Sequence, residues 1–232
     1  MKEFKILKYG HRGAKAYVAE NTISSILKAI ALGVDGIEID VHKCKSGELV
    51  VFHDFTLDRL TNRTGEISNF TLKELKTIKV LEHYNIPTLT EVLDAISKSK
   101  PCKINIELKG NNTAETTVNT IESYIKDKQW EYKDFIVSSF NFKALTTVFN
   151  SNKNIPLGVL TASNLDKAVT FAKTINAVAI HPDFNLLTRK KVESIQILGY
   201  QINTWTVNKL KDIKRIKSFK VNAIISDFPD RL

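Results

Sequence analysis

A chain of 232 residues with 43% hydrophobic and 25% charged residues has the composition of a folded globular protein, which excludes a disordered one. It has no run of about 18 apolar residues, so a membrane-spanning helix is not expected, and its two cysteines, Cys44 and Cys102, cannot by themselves build a disulfide framework or a four-ligand zinc site. The formal net charge is +9, but only 6 of the 34 basic residues are Arg, the side chain suited to forked phosphate and base contacts, so no nucleic-acid partner is expected.

The first eight residues build no apolar stretch of the kind a secretory signal needs, and a cytoplasmic location is expected. Ile6–Gly10 reads as the first strand, with His11-Arg12-Gly13 directly after it. A helix over Thr22–Leu32 follows, with Asn21 as a good N-cap and Gly33 suited to its C-terminus. Gly36–His42 is the next strand. Leu49–His53 is joined to it by Lys43 to Glu48, far too short for a crossover helix, so it reads as the return arm of a hairpin. Residues 54–87 hold one helix-like piece, Leu72–Ile78, and read as an insertion.

Beyond the insertion, strands and helices alternate. The strands are Ile104–Lys109, Phe135–Ser139, Pro156–Leu160, Ala177–His181, Ile202–Trp205 and Ala223–Ser226. The helical stretches are Thr90–Ser99, Ala114–Lys126, Phe142–Asn150, Asp166–Lys173, Arg189–Leu198 and Lys209–Lys217. Setting the hairpin arm aside leaves eight strands of βα type. The reading is an α/β fold: a (β/α)8 TIM barrel forming a single domain over 1–232, with a small inserted subdomain at about 54–87 after a β-hairpin following strand 2. A doubly wound open sheet is the alternative, weakened because no Gly-rich phosphate loop opens the first helix. The last outer helix is expected to be short or missing. The basic run Lys209–Lys220 reads as the solvated outer face of a helix.

The chemistry lies where polar residues interrupt apolar strands. In Ile37-Glu38-Ile39-Asp40-Val41, period two puts Glu38 and Asp40 on one face. In the strand beginning at Ile104, Asn105, Glu107 and Lys109 share a face. Carboxylates are rarely buried unless they are paired or bind a metal. Three of them on two strands make a hard-oxygen site for Mg²⁺ or Ca²⁺. An ordinary polar face, or a salt bridge to Lys109, is the other reading. His11 ends the first strand and His53 ends the hairpin arm. Strand ends form the functional face of a barrel. Two imidazoles, Arg12, Lys109 and a carboxylate-held cation are the parts needed to cleave a phosphate ester. His42, His83 and His181 read as structural, although His181 also ends a strand.

These residues carry a family resemblance. The ordered set runs from His11-Arg12-Gly13 and Glu20-Asn21-Thr22 through Gly33 to Val41 and Val50-Val51-Phe52-His53-Asp54. It continues with Leu57-Asp58-Arg59-Leu60-Thr61-Asn62, Gly65, Ile86-Pro87-Thr88-Leu89 and Glu107-Leu108-Lys109. Trp205-Thr206-Val207-Asn208 and Ile225-Ser226-Asp227-Phe228-Pro229 close it. The chain resembles the glycerophosphodiester phosphodiesterases of the small bacterial cytosolic type. The departures are few: Ala19 stands where a proline usually precedes Glu-Asn-Thr, and the hairpin turn is Cys44-Lys45-Ser46-Gly47 instead of Thr-Lys-Asp-Gly.

The resemblance implies a divalent cation, Mg²⁺ or Ca²⁺, held by Glu38, Asp40 and Glu107. It implies His11 and His53 as general base and general acid, Arg12 and Lys109 on the phosphate, and Trp205 against the glycerol side. The implied reaction hydrolyses a small-molecule glycerophosphodiester, such as glycerophosphocholine or glycerophosphoethanolamine, to glycerol 3-phosphate and an alcohol. The nucleophile is either the glycerol 2-hydroxyl, through a cyclic phosphate, or water. Two alternatives stand beside this. A lysophospholipid headgroup as substrate would require an apolar rim or an amphipathic anchor, for which Phe70–Tyr84 is the one candidate. A non-enzymatic anion- or nucleic-acid-binding protein would leave the strand carboxylates unexplained. No stable membrane insertion is expected, and monomer and homodimer are equally open.

Overall fold

A computed structural model describes residues 5–110, 112–127 and 130–232; the first four residues of the stretch read for a secretory signal lie outside them. Strand β1 (Leu7–His11) leads through helix α1 (Ile23–Ala31) to β2 (Gly36–Lys43), which turns back antiparallel as β3 (Leu49–Val51). The short helix α2 (Leu72–Leu75) and a small hairpin, β4 (Lys79–Val80) with β5 (Tyr84–Asn85), precede α3 (Leu89–Ser97) and β6 (Lys103–Leu108). The rest alternates strictly: α4 (Ala114–Lys126), β7 (Phe135–Ser139), α5 (Phe142–Ser151), β8 (Leu157–Thr161), α6 (Leu165–Thr174) and β9 (Ala179–Pro182). Helix α7 (Arg189–Ile197), β10 (Gln201–Thr204), α8 (Leu210–Ser218) and β11 (Ala223–Ser226) follow. A single 3-10 turn, Pro229–Arg231, comes after β11.

Eight of these strands are parallel and closed. β1 pairs with β2 on one side and with β11 on the other, and β6 to β10 fill the gap in chain order. The fold is the (β/α)8 barrel expected from the strand count. Every second strand residue faces outward. Ile37, Ile39 and Val41 of β2, with Ile104, Ile106 and Leu108 of β6, meet the helices in one continuous core. Helix starts are set by side-chain caps, with Thr22, Thr88, Asn141, Asn164 and Thr188 each accepting a backbone N–H of the first turn. The cap of α1 is thus Thr22 and not Asn21, which adopts a left-handed backbone (φ 58°) and turns its side chain to Asp40.

The segment after β3 differs from its sequence reading. The helix ends at Leu75, short of Ile78, and the β4–β5 hairpin was not anticipated. Leu57, Leu60, Ile67, Leu75 and Ile86 of this segment pack on Val50 and Phe52 of the hairpin arm in a cluster of their own. Helix α8 carries the basic run: Ile213 and Ile216 are buried while Lys211, Lys214 and Lys217 are exposed. Among the described residues no helix is long and apolar enough to cross a membrane.

The barrel interior is filled by pairing large with small residues. The Tyr9 ring occupies the space over Gly36, where an added Cβ would lie 2.4 Å from it. His181 lies likewise over Gly158, 2.5 Å from where a Cβ would be. His181 is fully buried, with Asn203 Nδ2 3.0 Å from its Nε2, and burial pushes its pKa down to about 3. Between that value and the ordinary 6.5, the unfolded chain binds a proton that the folded chain refuses, so stability is present above about 6.5 and is lost as pH falls. From pH 7 to pH 5 this residue alone should remove about 2 kcal/mol. Urea unfolding at both pH values, compared with His181→Asn, checks it. The unsubstituted chain should lose about 2 kcal/mol more than the variant, and equal losses would refute the assignment.

Candidate active site

The register of β2 against β6 sets Glu38 opposite Asn105 and Asp40 opposite Glu107, and β1 sets His11 opposite Glu38. All of these point inward at the C-terminal end of the barrel. One oxygen from each of Glu38, Asp40 and Glu107 lies within 4.8 Å of the others. Burial raises the Glu38 pKa well above the carboxylate range, and Asp40 and Glu107 push it further. Burial and Asp40 raise Glu107 to about 7, against the opposing pull of Lys109. Asp40 Oδ1 accepts no hydrogen bond. Two buried carboxylates and a third, part-buried one, mutually repelling and with an orphaned oxygen, form a cluster that could hold a hard divalent cation.

Two cations border this trio. Lys109 Nζ lies 3.0 Å from Glu107 Oε1, 3.8 Å from Asp40 Oδ1 and 3.3 Å from His53 Nε2. Arg12 donates its backbone N–H to Glu38 Oε2 at 3.0 Å and Nη1 to Glu20 Oε1 at 2.6 Å. Its Nε lies 3.3 Å from Asp40 Oδ2 without hydrogen-bond alignment. The sharp bend that brings Arg12 inward needs Gly13: its φ is +85°, and a Cβ there would stand 2.5 Å from Ser25 Oγ.

Each imidazole is tethered by a carboxylate. His11 Nδ1 lies 2.6 Å from Asp227 Oδ1, and its Nε2 lies 3.9 Å from Glu38 Oε2. His53 Nδ1 lies 2.6 Å from Asp54 Oδ1, leaving Nε2 toward Lys109. The Nδ1 atom therefore carries the proton in the neutral ring, and Nε2 is the atom free for chemistry. Burial lowers the pKa of both rings, outweighing their carboxylates. Arg59 grips Asp54 and also holds Glu20, 2.7 Å from its Nη2, so ion pairs run from His53 through Asp54, Arg59 and Glu20 to Arg12. Although burial opposes it, Arg59, Arg12 and Lys15 hold the Glu20 pKa down to about 2. Asn21 Nδ2 donates to Asp40 Oδ2 at 2.9 Å, and Asn208 Nδ2 to Asp227 Oδ2 at 2.8 Å.

His11, Arg12, His53, Glu107 and Lys109 line one side of a cavity of about 100 Å³, and Phe140, Leu160, Trp205 and Ile225 form the apolar side. Trp205 is held by a hydrogen bond from Nε1 to His181 O (2.8 Å) and by an edge-to-face contact with Phe140. All eight residues singled out in the sequence thus meet here. His42 supports the site from behind, with Nε2 3.1 Å from the His53 carbonyl. His181 lies in the layer beneath and does not line the cavity, and His83 is exposed. A larger cavity of about 650 Å³ near the starts of β2 and β6 contains no histidine or arginine. Glu20, Asp54, Arg59 and Asp227 were visible only as motif positions, and Asn21 as a motif position and a helix cap. Asp54 had a local signal, its adjacency to His53, whereas Asp227 is 216 residues from its partner.

Residues 11–231 match the Glycerophosphoryl diester phosphodiesterase family. The chain is 35% identical to a glycerophosphodiester phosphodiesterase of Caldanaerobacter subterraneus subsp. tengcongensis, over 98% of this chain and 96% of that protein. It is 31% identical to one from Bacillus subtilis, over 97% and 85%. Its fold is similar to that of an Oleispira antarctica phosphodiesterase solved in complex with the product sn-glycerol-3-phosphate: TM-score 0.87, 27% identity, 96% of this chain and 93% of that one. It is also similar to that of a Thermotoga maritima glycerophosphodiester phosphodiesterase, with TM-score 0.80, 28% identity, and 98% and 97% covered.

Proposed function

The chain belongs to the glycerophosphoryl diester phosphodiesterase family, and from that premise we propose that it hydrolyses glycerophosphodiesters, such as glycerophosphocholine or glycerophosphoethanolamine, to glycerol 3-phosphate and an alcohol. The observation that carries this is the convergence of two carboxylate-tethered imidazoles and two cations on the Glu38–Asp40–Glu107 trio. The trio would hold Mg²⁺ or Ca²⁺, and a bound cation supplies positive charge to the phosphodiester oxygens. Arg12 and Lys109 bind the same anion. Lys109 leaves Glu107 and His53 for the phosphate, which gives charge stabilisation as negative charge grows on phosphorus.

His11 accepts at Nε2 the proton of the attacking oxygen, the glyceryl 2-hydroxyl or water, while Asp227 steadies the imidazolium, and a cyclic phosphate formed in the first case is opened by water to glycerol 3-phosphate. His53 acts as the imidazolium, its charge balanced by Asp54, and gives its Nε2 proton to the departing alkoxide, leaving the neutral ring protonated at Nδ1. The P–O bond to the alcohol breaks, and a P–O bond to the attacking oxygen replaces it. Trp205 and Phe140 cover the glyceryl carbons and keep bulk water from the attack line. Residues 54–87 serve the same single domain as an insertion, since they supply Asp54 and Arg59. Two free thiols, Cys44 and Cys102, support a reducing, cytoplasmic location.

Purified protein with glycerophosphocholine and Mg²⁺ or Ca²⁺, coupled to glycerol 3-phosphate detection, tests the reading. Glycerol 3-phosphate and choline are the expected products. Release of phosphocholine, or no release at all, would sink it. A cyclic phosphate that rises and decays ahead of glycerol 3-phosphate would identify the 2-hydroxyl as nucleophile. Asp227→Asn should lower kcat roughly 10–10²-fold with little change in KM, because the ring loses its orienting carboxylate. Steady-state kinetics check this, and an unaltered kcat would remove Asp227 from a positioning role.

A further inference from the structure

Among the residues lining the cavity, Asn105 has no part in the proposed reaction. It sits on β6 directly across from Glu38 and two residues before Glu107. It is 2% exposed, and its Oδ1 accepts no hydrogen bond. A buried amide oxygen without a donor is costly, and native chains retain one where a partner arrives from outside. The cavity it faces is about 100 Å³, room for about three waters' share of liquid. Of the rest of the lining, the charged groups serve the anion, Phe140, Leu160, Trp205 and Ile225 face carbon, and Thr206, the other neutral polar residue, is only half-buried, so that leaving it unpaired costs less than leaving Asn105 unpaired. Asn105 is the amide among them.

Resting on the proposed reaction at this pocket, we infer that Asn105 accepts a hydrogen bond from a free hydroxyl of the glyceryl unit and is the specificity-determining residue for that unit. A site built to bond a hydroxyl discriminates strongly against an analogue lacking it, because the buried acceptor is then left unpaired. An apolar wall alone discriminates weakly. Asn105 is thus the contact through which the chain reads the glyceryl arm.

The test is calorimetric binding of three monoesters in the presence of Mg²⁺ or Ca²⁺: sn-glycerol 3-phosphate, 3-hydroxypropyl phosphate and 2-hydroxypropyl phosphate. Binding does not depend on which oxygen attacks. The unsubstituted chain should bind glycerol 3-phosphate at least tenfold more tightly than one of the two deoxy esters. In Asn105→Leu that preference should fall below threefold. Equal affinities in the unsubstituted chain would overturn the assignment without any variant being made, and so would an equal loss for all three ligands in Asn105→Leu. A tenfold rise in the cation concentration needed for half-maximal binding, with the preference intact, would also overturn it by assigning the amide to the cation. Turnover of glycerophosphocholine is measured in parallel. Selective binding without turnover would reject the proposed reaction while supporting the role of Asn105.

Discussion

Alanine at His11 or His53 is expected to lower kcat for glycerophosphocholine by roughly 10²–10⁴-fold, the usual worth of a positioned acid or base. KM should move little, because neither ring is a main anchor of the phosphate. The two variants should differ in one respect. On a glyceryl diester with 4-nitrophenol as the leaving alcohol, departure needs no proton. His53→Ala should then recover most of its loss, whereas His11→Ala should not. The tethering geometry supports this division, since each ring offers only Nε2, and the two Nε2 atoms have different neighbours: Glu38 for His11 and Lys109 for His53. Steady-state kinetics on both substrates, with circular dichroism to confirm folding, check the result. Recovery by His11→Ala alone would reverse the acid and base, and recovery by both variants would refute the division.

Removing the cation should be at least as severe. Excess EDTA is expected to abolish turnover, with Mg²⁺ or Ca²⁺ restoring it, and Glu38→Gln should be inactive even with added cation. The same substitution should make the chelated protein more stable. Glu38 resists ionisation because it is buried beside Asp40 and Glu107, and an uncharged amide removes that repulsion while keeping an oxygen to accept the Arg12 backbone N–H. The melting midpoint in EDTA should rise by a few degrees, 1 kcal/mol being about 2–4 °C in a chain of this length. Added cation should stabilise the unsubstituted chain and leave the variant unmoved. A variant less stable than the parent in EDTA would mean that the trio is not electrostatically strained, and full activity in EDTA would remove the cation from the mechanism.

The barrel was legible because its signals are local. Period-two alternation in β2 and the short link to β3 are properties of neighbouring residues, and they led directly to the inward carboxylates and the hairpin. The β4–β5 hairpin was hidden because Leu81 and Glu82 make its turn in left-handed conformations without glycine or asparagine to announce it. Asn21 looked like a cap because it is a capping residue type in the right place. Only the tertiary fold shows that Asp40 claims its side chain. Asp227 could be found only once β11 closed against β1. Asn105 was seen to share a face with Glu107, but an acceptor without a donor is a fact of packing and has no one-dimensional trace.

The cavity divides its labour along the chain. Charged groups come from β1, the hairpin arm, β2 and β6, all within residues 11–109, while the apolar wall comes from Phe140 onward. Asp227 is the one bond-making outlier, returning from β11 to brace His11. Such a molecule is modular in a practical sense. Grafting the β7–β10 loops of a relative onto this first half should reshape the apolar wall while Asn105 and the charged groups keep their places, and the same partition lets substitutions in those loops alter that wall without touching a group proposed to act on the phosphate.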